Sequence, residues 1–320
     1  MLVAIARKFQ RFAAAEAKGR SPLYEALANG VASDPAILAF LATLPAAKRQ
    51  PNLLLAAVRF VCGTPADWPD FRAKVTARTD LVRTEMLRRR TQTNEPARCA
   101  SLLPVLARLR GPLALIEVGA SAGLCLLPDR YGYAYDGHPA FGPEPRFPCR
   151  AGAEVPVPRA VPEVVWRAGI DLNPLDLGDD DSRAWLEALV WPDQPERLAR
   201  FRAAMAIARA DPPRVVSGDL LTALPALAAE APKHATLVVF HTAVLAYVAG
   251  ADTRAAFGRG VRDLNAVWIS NESPDVFPHI AAKLLTRGPA DAFLLAVDGE
   301  PTAWTDPHGA WIEWIATPDR

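Results

Sequence analysis

The stretch Leu113-Ala-Leu-Ile-Glu-Val-Gly-Ala-Ser-Ala-Gly123 decides how the rest of the chain is read. A short apolar run that ends in closely spaced glycines reads as a buried strand breaking into a glycine turn. Downstream, strand candidates recur at residues 133–136, 164–171, 214–217, 236–241, 266–270, 292–298 and 311–316. Helical patterns separate several of them, at 182–190, 195–210, 254–264 and 276–286. Strands alternating with helices predict a largely parallel sheet covered on both faces. The connection between the last two candidates is rich in Gly, Pro and Asp and holds no helical run. A parallel return needs a crossover, usually a helix, so these two strands are expected to pair antiparallel and close the sheet.

Upstream the pattern is different. Ser21-Pro22, Asp34-Pro35 and Pro51 mark helix starts, each followed by apolar residues at helical spacing. Residues 1–110 are therefore expected to form a helical cap domain, and 111–320 an α/β domain carrying a Pro-rich insertion near 137–165. A chain of 320 residues is long enough for such a division.

Composition narrows the function. Lys+Arg 36 against Asp+Glu 35 gives a formal net charge of +1, which offers no basic surplus for nucleic acid. Arg88 to Arg90 read as a solvated helix end. The four cysteines show neither C-x-x-C spacing nor disulfide-framework density, so a reducing cytoplasm is the expected compartment. The first six residues are too short an apolar run for a signal peptide, and the uncharged run 234–251 reads as a buried strand rather than a membrane span.

The glycine turn admits two mechanisms. As a nucleotide-type loop, Gly119 permits the tight turn, Gly123 lets backbone approach a ligand, and a following helix would offer free N–H groups. Such a site wants an acid roughly 20 positions on, at a strand end, for ribose hydroxyls; Asp136 has that spacing. As a nucleophile elbow, Gly119-x-Ser121-x-Gly123 would make Ser121 a hydrolase nucleophile, with Asp298 and His308 following in triad order. The absence of strands and of a His-Gly-Gly run before the turn favours the cofactor loop. A glycine turn that binds nothing stays open as a third reading.

The residues from Glu117 to Gly123 resemble motif I of class I S-adenosylmethionine-dependent methyltransferases. Gly169-Ile-Asp171-Leu-Asn-Pro174 resembles their second-strand motif, and Gly218-Asp219 the acid after their third strand. Along nearly its whole length the chain is also similar to a bacterial domain-of-unknown-function family, number 2332. The segments carrying this are Leu115 to Leu124, Gly169 to Asp176, Trp185-Leu-Glu-Ala-Leu-Val-Trp-Pro192, Phe240-His-Thr-Ala-Val-Leu-Ala-Tyr247 and Ser270-Asn-Glu-Ser-Pro274. The resemblance implies a Rossmann-like domain with S-adenosylmethionine as cofactor, held by Glu117, Gly119, Ser121, Gly123, Asp219 and either Asp136 or Asp171. Spacing favours Asp136 and motif favours Asp171. Two departures stand out: Ser121 replaces the middle glycine, and Pro128 cuts short the helix after the turn.

Ligands in open α/β sheets sit at the carboxyl ends of the strands. That places His241, Asn271 and Glu272 near the expected cofactor. His241 is the candidate general base, oriented by Glu272 or Asn271; the competing reading is a structural histidine with both nitrogens satisfied. Asp179-Asp-Asp181 reads as a helix start rather than a metal site, and the histidines show no metal-ligand spacing. The expectation is methyl transfer to a small molecule, with no nucleic-acid or membrane partner. The alternatives are a non-catalytic S-adenosylmethionine or nucleotide binder and a serine hydrolase.

Overall fold

The structure is a computed structural model and describes residues 1–315. Its ten strands are β1 (Leu113–Val118), β2 (Gly132–Tyr135), β3 (Arg146–Ala151), β4 (Val164–Asp171), β5 (Arg214–Ser217), β6 (Thr236–Thr242), β7 (Val267–Glu272), β8 (Phe293–Val297), β9 (Glu300–Thr305) and β10 (Trp311–Trp314). They form one sheet in the order β2-β3-β10-β9-β8-β7-β6-β1-β4-β5. β1 sits inside it, parallel to β4 on one side and β6 on the other. All six of its residues are buried, as a strand covered on both faces requires. In chain order the five parallel strands β5-β4-β1-β6-β7 stand third, second, first, fourth and fifth, so the order reverses between β1 and β6. The protein is thus a mixed α/β protein with a large, mostly parallel sheet.

The closing strands differ from the expectation. The candidates at 292–298 and 311–316 do not pair with each other, because β9 lies between β8 and β10 and is antiparallel to both. Asp298 and Gly299 turn the chain with φ 51° and 80°, the left-handed pair that a two-residue hairpin turn needs. Ala316 lies outside the described residues. The sheet also continues past β10 through β3 and β2, each parallel to its neighbour. The supposed insertion therefore supplies one strand of the sheet, β3, which joins the edge strand β2 to β10. Of the helical pattern at 276–286, only Pro278–Ala281 is α-helical, and Leu220–Ala228 forms a helix that the sequence reading passed over.

Two compact units make up the chain. One comprises Met1–Thr93 with Gly178–Arg202, the other Asn94–Leu177 with the residues from Ala203 on. In the first, Ser21 and Asp34 cap the helices Pro22–Ser33 and Pro35–Ala42, accepting from the N–H groups of Tyr24, Ala36 and Ile37 at 3.1, 2.9 and 3.0 Å. Asp179 does the same for Asp180–Leu189. Trp185 is buried with Arg89 stacked over its ring, and Trp191 packs against Phe12 and Tyr24. Arg88 and Arg89 both pair with Asp181.

In the second unit, side chains alternate across the sheet. One face carries Ile116, Val118, Val239, Trp268 and Leu294 into a core with Leu224, Phe257 and Ile280 from the helices Leu220–Ala228, Ala251–Asp263 and Pro278–Ala281. The helix Arg98–Leu106 is buried at every position, and its Arg98 reaches Thr242 on the opposite face. Among the described residues no helix is long and apolar enough to cross a membrane.

Candidate functional site

The carboxyl ends of β1, β4, β5, β6 and β7 bring together the glycine turn, Asp171, Asp219 and the segment from His241 to Leu245. In the turn, Gly119, Ser121 and Gly123 all take left-handed φ, at 74°, 52° and 75°. Glycine is at ease there; Ser121 is held by the N–H bond it gives Asp171 Oδ2 at 2.8 Å. Asp171 Oδ1 also accepts from the Asn173 N–H at 2.8 Å. A Cβ on Gly119 would lie 2.3 Å from Val244 Cγ2, and one on Gly123 would lie 2.6 Å from Pro213 Cγ. Both glycines are therefore required by the packing of protein side chains against the turn.

No regular helix follows the turn, contrary to the cofactor-loop expectation. The chain makes two short 3-10 turns, Leu124–Leu126 and Pro128–Arg130, then leaves for the far edge of the sheet. The Leu124 N–H donates to Asn94 Oδ1 at 2.8 Å. Pro128 opens the second 3-10 turn, and with it any α-helical run is cut off.

The departure also relocates Asp136. It follows β2, whose one partner strand is β3, nine places along the sheet from β5. The premise that favoured it, a strand next to β1, is overturned: the neighbours of β1 are β4 and β6. Asp171 ends β4 beside the turn, and Asp219 follows β5, where its Oδ1 caps the Leu220–Ala228 helix through the Leu221 N–H at 2.9 Å.

His241 is fully buried. Its Nδ1 lies 2.7 Å from Glu272 Oε1, and its Nε2 lies 3.0 Å from the Trp268 indole nitrogen. An indole N–H can only donate, so Nε2 is the acceptor and Nδ1–H donates to Glu272. Both nitrogens are committed to protein partners, and no lone pair faces a substrate. The general-base assignment is thereby replaced by that of a satisfied buried histidine. Glu272 Oε1 accepts two more bonds, from the N–H groups of Val244 and Leu245 at 2.9 and 3.0 Å. Glu272 also lines a cavity of about 10 Å³ with Ser270, Ser273 and Phe277, room for about one water. Asn271, next along β7, points to the other face, where its Oδ1 accepts from Thr305 Oγ1 at 2.7 Å. Adjacent strand residues cannot both orient one imidazole.

That other face carries a buried polar cluster which the sequence reading missed: Asn94, Glu95, Arg98, Thr242 and Thr305 alongside Glu117 and Asn271. Arg98 donates from Nε to the Pro307 carbonyl at 2.8 Å and from Nη1 to Thr242 O and Oγ1 at 3.2 and 3.3 Å. Glu117 Oε2 and Asn271 Nδ2 are buried without a hydrogen-bond partner. Burial first, then the neighbouring Cys125, hold the Glu117 carboxyl well above the ordinary carboxylate range, against the opposing pull of Arg98. A signal for the cluster was present: an arginine heading the wholly apolar run Cys99-Ala-Ser-Leu-Leu-Pro-Val-Leu106 implies a buried charge.

The family described as an uncharacterized protein conserved in bacteria (DUF2332) matches residues 6–314. The chain belongs to this bacterial family. No curated protein and no solved structure matches it. The family match covers both compact units, so the buried cluster and the glycine turn fall within the shared region.

The hydrolase residues do not assemble. Asp298 follows antiparallel β8 and accepts from the Trp268 N–H at 2.8 Å, near the start of β7. Ser121 follows the far end of β1, which runs parallel with β6 and β7. His308 lies between β9 and β10, where its N–H donates to Asp306 Oδ1 at 2.8 Å. Among the described residues no group of three or more His, Cys, Asp and Glu could hold a metal ion.

Proposed function

We propose that the chain is an S-adenosylmethionine-dependent methyltransferase of class I type, acting on a small molecule at the carboxyl ends of its parallel strands. The observation that carries this is the strand order: β5-β4-β1-β6-β7 sets Asp219, Asp171 and the glycine turn along adjacent strand ends, with the glycine turn at the point where the order reverses. Ligands of doubly wound sheets bind at such a switch point. The antiparallel strand beside β7 agrees with the same class of sheet.

The chemistry of the site suits the cofactor. Asp171 ends β4 beside the glycine turn, and an acid at such a strand end is the group that binds ribose hydroxyls in nucleotide-type sites. Asp219 stands at the end of the next strand for the adenine side. Glu117 Oε2 is buried and unpartnered, and a ligand ammonium placed there would supply a donor and favour the ionised carboxylate. When bound, the cofactor would supply a methyl group on a sulfonium; what the chain's own residues contribute is binding, orientation and the exclusion of water.

One observation favours a second reading. With both nitrogens of His241 occupied, the candidate base is withdrawn, as in a protein that binds the same cofactor without transferring its methyl. Calorimetric titration with S-adenosylmethionine and S-adenosylhomocysteine tests the first step. Binding near micromolar Kd is expected for the native chain, weakened about tenfold or more by Asp171→Ala. No heat with either compound would sink both readings. Binding without transfer of labelled methyl to a small-molecule extract would leave the second.

A further inference from the structure

The three residues expected to be catalytic surround one short piece of backbone, the turn that ends β6. Ala243 reverses the chain there with φ 57°, and its N–H donates to the Asn271 carbonyl at 3.1 Å. From one face of the sheet Glu272 Oε1 accepts the N–H groups of Val244 and Leu245. The same oxygen accepts from His241, whose ring is fixed in turn by Trp268. From the opposite face Arg98 holds the Thr242 carbonyl and hydroxyl. A turn pinned from both faces by buried charged groups is rigid, and a left-handed alanine is tolerated only where the surroundings over-determine it.

What the turn presents is Val244. Its methyls occupy the space beside Gly119, where a Cβ would meet Cγ2 at 2.3 Å and Cγ1 at 2.6 Å. The proposed function needs that space, because a ligand on the glycine turn must approach its backbone. Val244 and the ligand therefore compete for one place. We infer that Val244 is the gate residue of the glycine-turn site, and that Glu272, with His241 and Trp268 behind it, is the positioning group that holds the gate against Gly119.

This inference rests on the adenosyl-ligand reading, and it assigns Glu272 and His241 a role that requires no free lone pair on the imidazole. It explains why the pair is buried, why Glu272 spends one oxygen on three donors, and why two of those donors are consecutive backbone amides rather than a substrate-facing group. Ligand entry then requires the Val244 side chain to withdraw, and apparent affinity is reduced by the fraction of molecules in which it has not.

The test uses the full chain and S-adenosylhomocysteine as the probe. Val244→Ala removes the obstruction and leaves the latch; it is expected to bind about tenfold tighter than the native chain, as for a gate open about a tenth of the time. Glu272→Gln keeps the shape of the latch but removes its charge. It is expected to speed the association rate several-fold, with amide exchange at Val244 and Leu245 faster in the ligand-free protein, since bonds to a neutral acceptor are weaker. A folded Val244→Ala protein that binds no better than the native chain overturns the gate and leaves the adenosyl reading standing. Exchange at Val244 and Leu245 unchanged in Glu272→Gln overturns the latch, whatever the ligand does. Absence of binding in the native chain and both variants overturns gate and adenosyl reading together, whereas binding by Val244→Ala alone supports both.

Discussion

The turns that end β1 and β6 touch each other, yet they are held in different ways. At the end of β6 the turn's amides find their acceptors, and one oxygen of Glu272 serves three donors while the other is buried without a partner. At the end of β1 Glu117 is buried near Cys125 and Arg98, likewise with an oxygen that has no partner. A buried polar group left unpaired costs roughly 1–3 kcal/mol, so a protein retains one where something other than stability is selected. The difference lies in what holds each turn: Glu272 binds two amides of the turn after β6, whereas the glycine turn is held by Asp171 through the Ser121 amide.

The sharpest way to break that contrast is to remove the connector. Glu272→Ala strands the His241 Nδ1–H and the backbone N–H groups of Val244 and Leu245, and is expected to cost about 3 kcal/mol or more, since each buried donor left unpaired costs about 1–3 kcal/mol. A urea denaturation midpoint within error of the native chain would mean that the latch contributes nothing to the fold.

Next comes the point where the two turns meet. Gly119→Ala forces a Cβ onto a residue at φ 74° and against Val244, with an expected loss of about 2–4 kcal/mol from strain and overlap. Adding Val244→Ala removes the overlap but not the strained φ. The double mutant should recover on the order of 1 kcal/mol relative to additivity. Strict additivity would show that the contact is slack.

Glu117 gives an effect of opposite sign. Its folded-state pKa is raised above the ordinary value of 4.5, so the folded chain holds the proton more tightly than the unfolded one. The stability this lends is complete below about pH 4.5 and declines as pH rises toward the folded-state pKa. Glu117→Gln should flatten that decline and leave the protein about 1–3 kcal/mol more stable at neutral pH, while weakening S-adenosylhomocysteine binding. Denaturation midpoints across pH 4–8, paired with calorimetry at one pH, check both halves. A variant both less stable and equally good at binding would reverse the reading of Glu117.

How much of this was legible follows from the residues. β1, β6, β7 and β8 were readable because their largely apolar runs are what strands covered on both faces need, and β4, half-exposed at its start, from its Val164-Val-Trp166 run. β9 was not, because Pro301 interrupts Glu300-Pro-Thr-Ala-Trp-Thr305, although Asp298-Gly299 is a hairpin signal in plain sight. β3 alternates buried Phe147 and Cys149 with the exposed Arg146, Pro148 and Arg150, an edge-type pattern that a Pro-rich setting disguised. The helix Leu220–Ala228 was hidden by Pro225. In the site, the contact of His241 with Glu272 was anticipated from their strand ends, but the role was not. Trp268, which occupies the second nitrogen, is five residues from Ser273 in sequence and gives no sign of aiming at a histidine on another strand. Sequence spacing reports what is near along the chain, and the satisfied state of an imidazole depends on what is near across the sheet.

The smallest expected effect tests the same lesson on the two competing acids. Asp136 fits the spacing of a ribose ligand, but it is exposed and its strand pairs with β3 at the opposite sheet edge. Asp171 is further along the chain, and its carboxylate already holds the Ser121 and Asn173 amides. Crossover length could not choose between them, because a connection that detours through two edge strands makes the spatial neighbour the later one in sequence. Asp136→Ala should therefore change stability by less than about 0.5 kcal/mol and leave S-adenosylhomocysteine affinity as it was, whereas Asp171→Ala should loosen the glycine turn as well as the ligand. Affinity lost in Asp136→Ala alone would mean that the ligand lies on the β2 edge, and the switch point between β1 and β6 would no longer be where this protein binds.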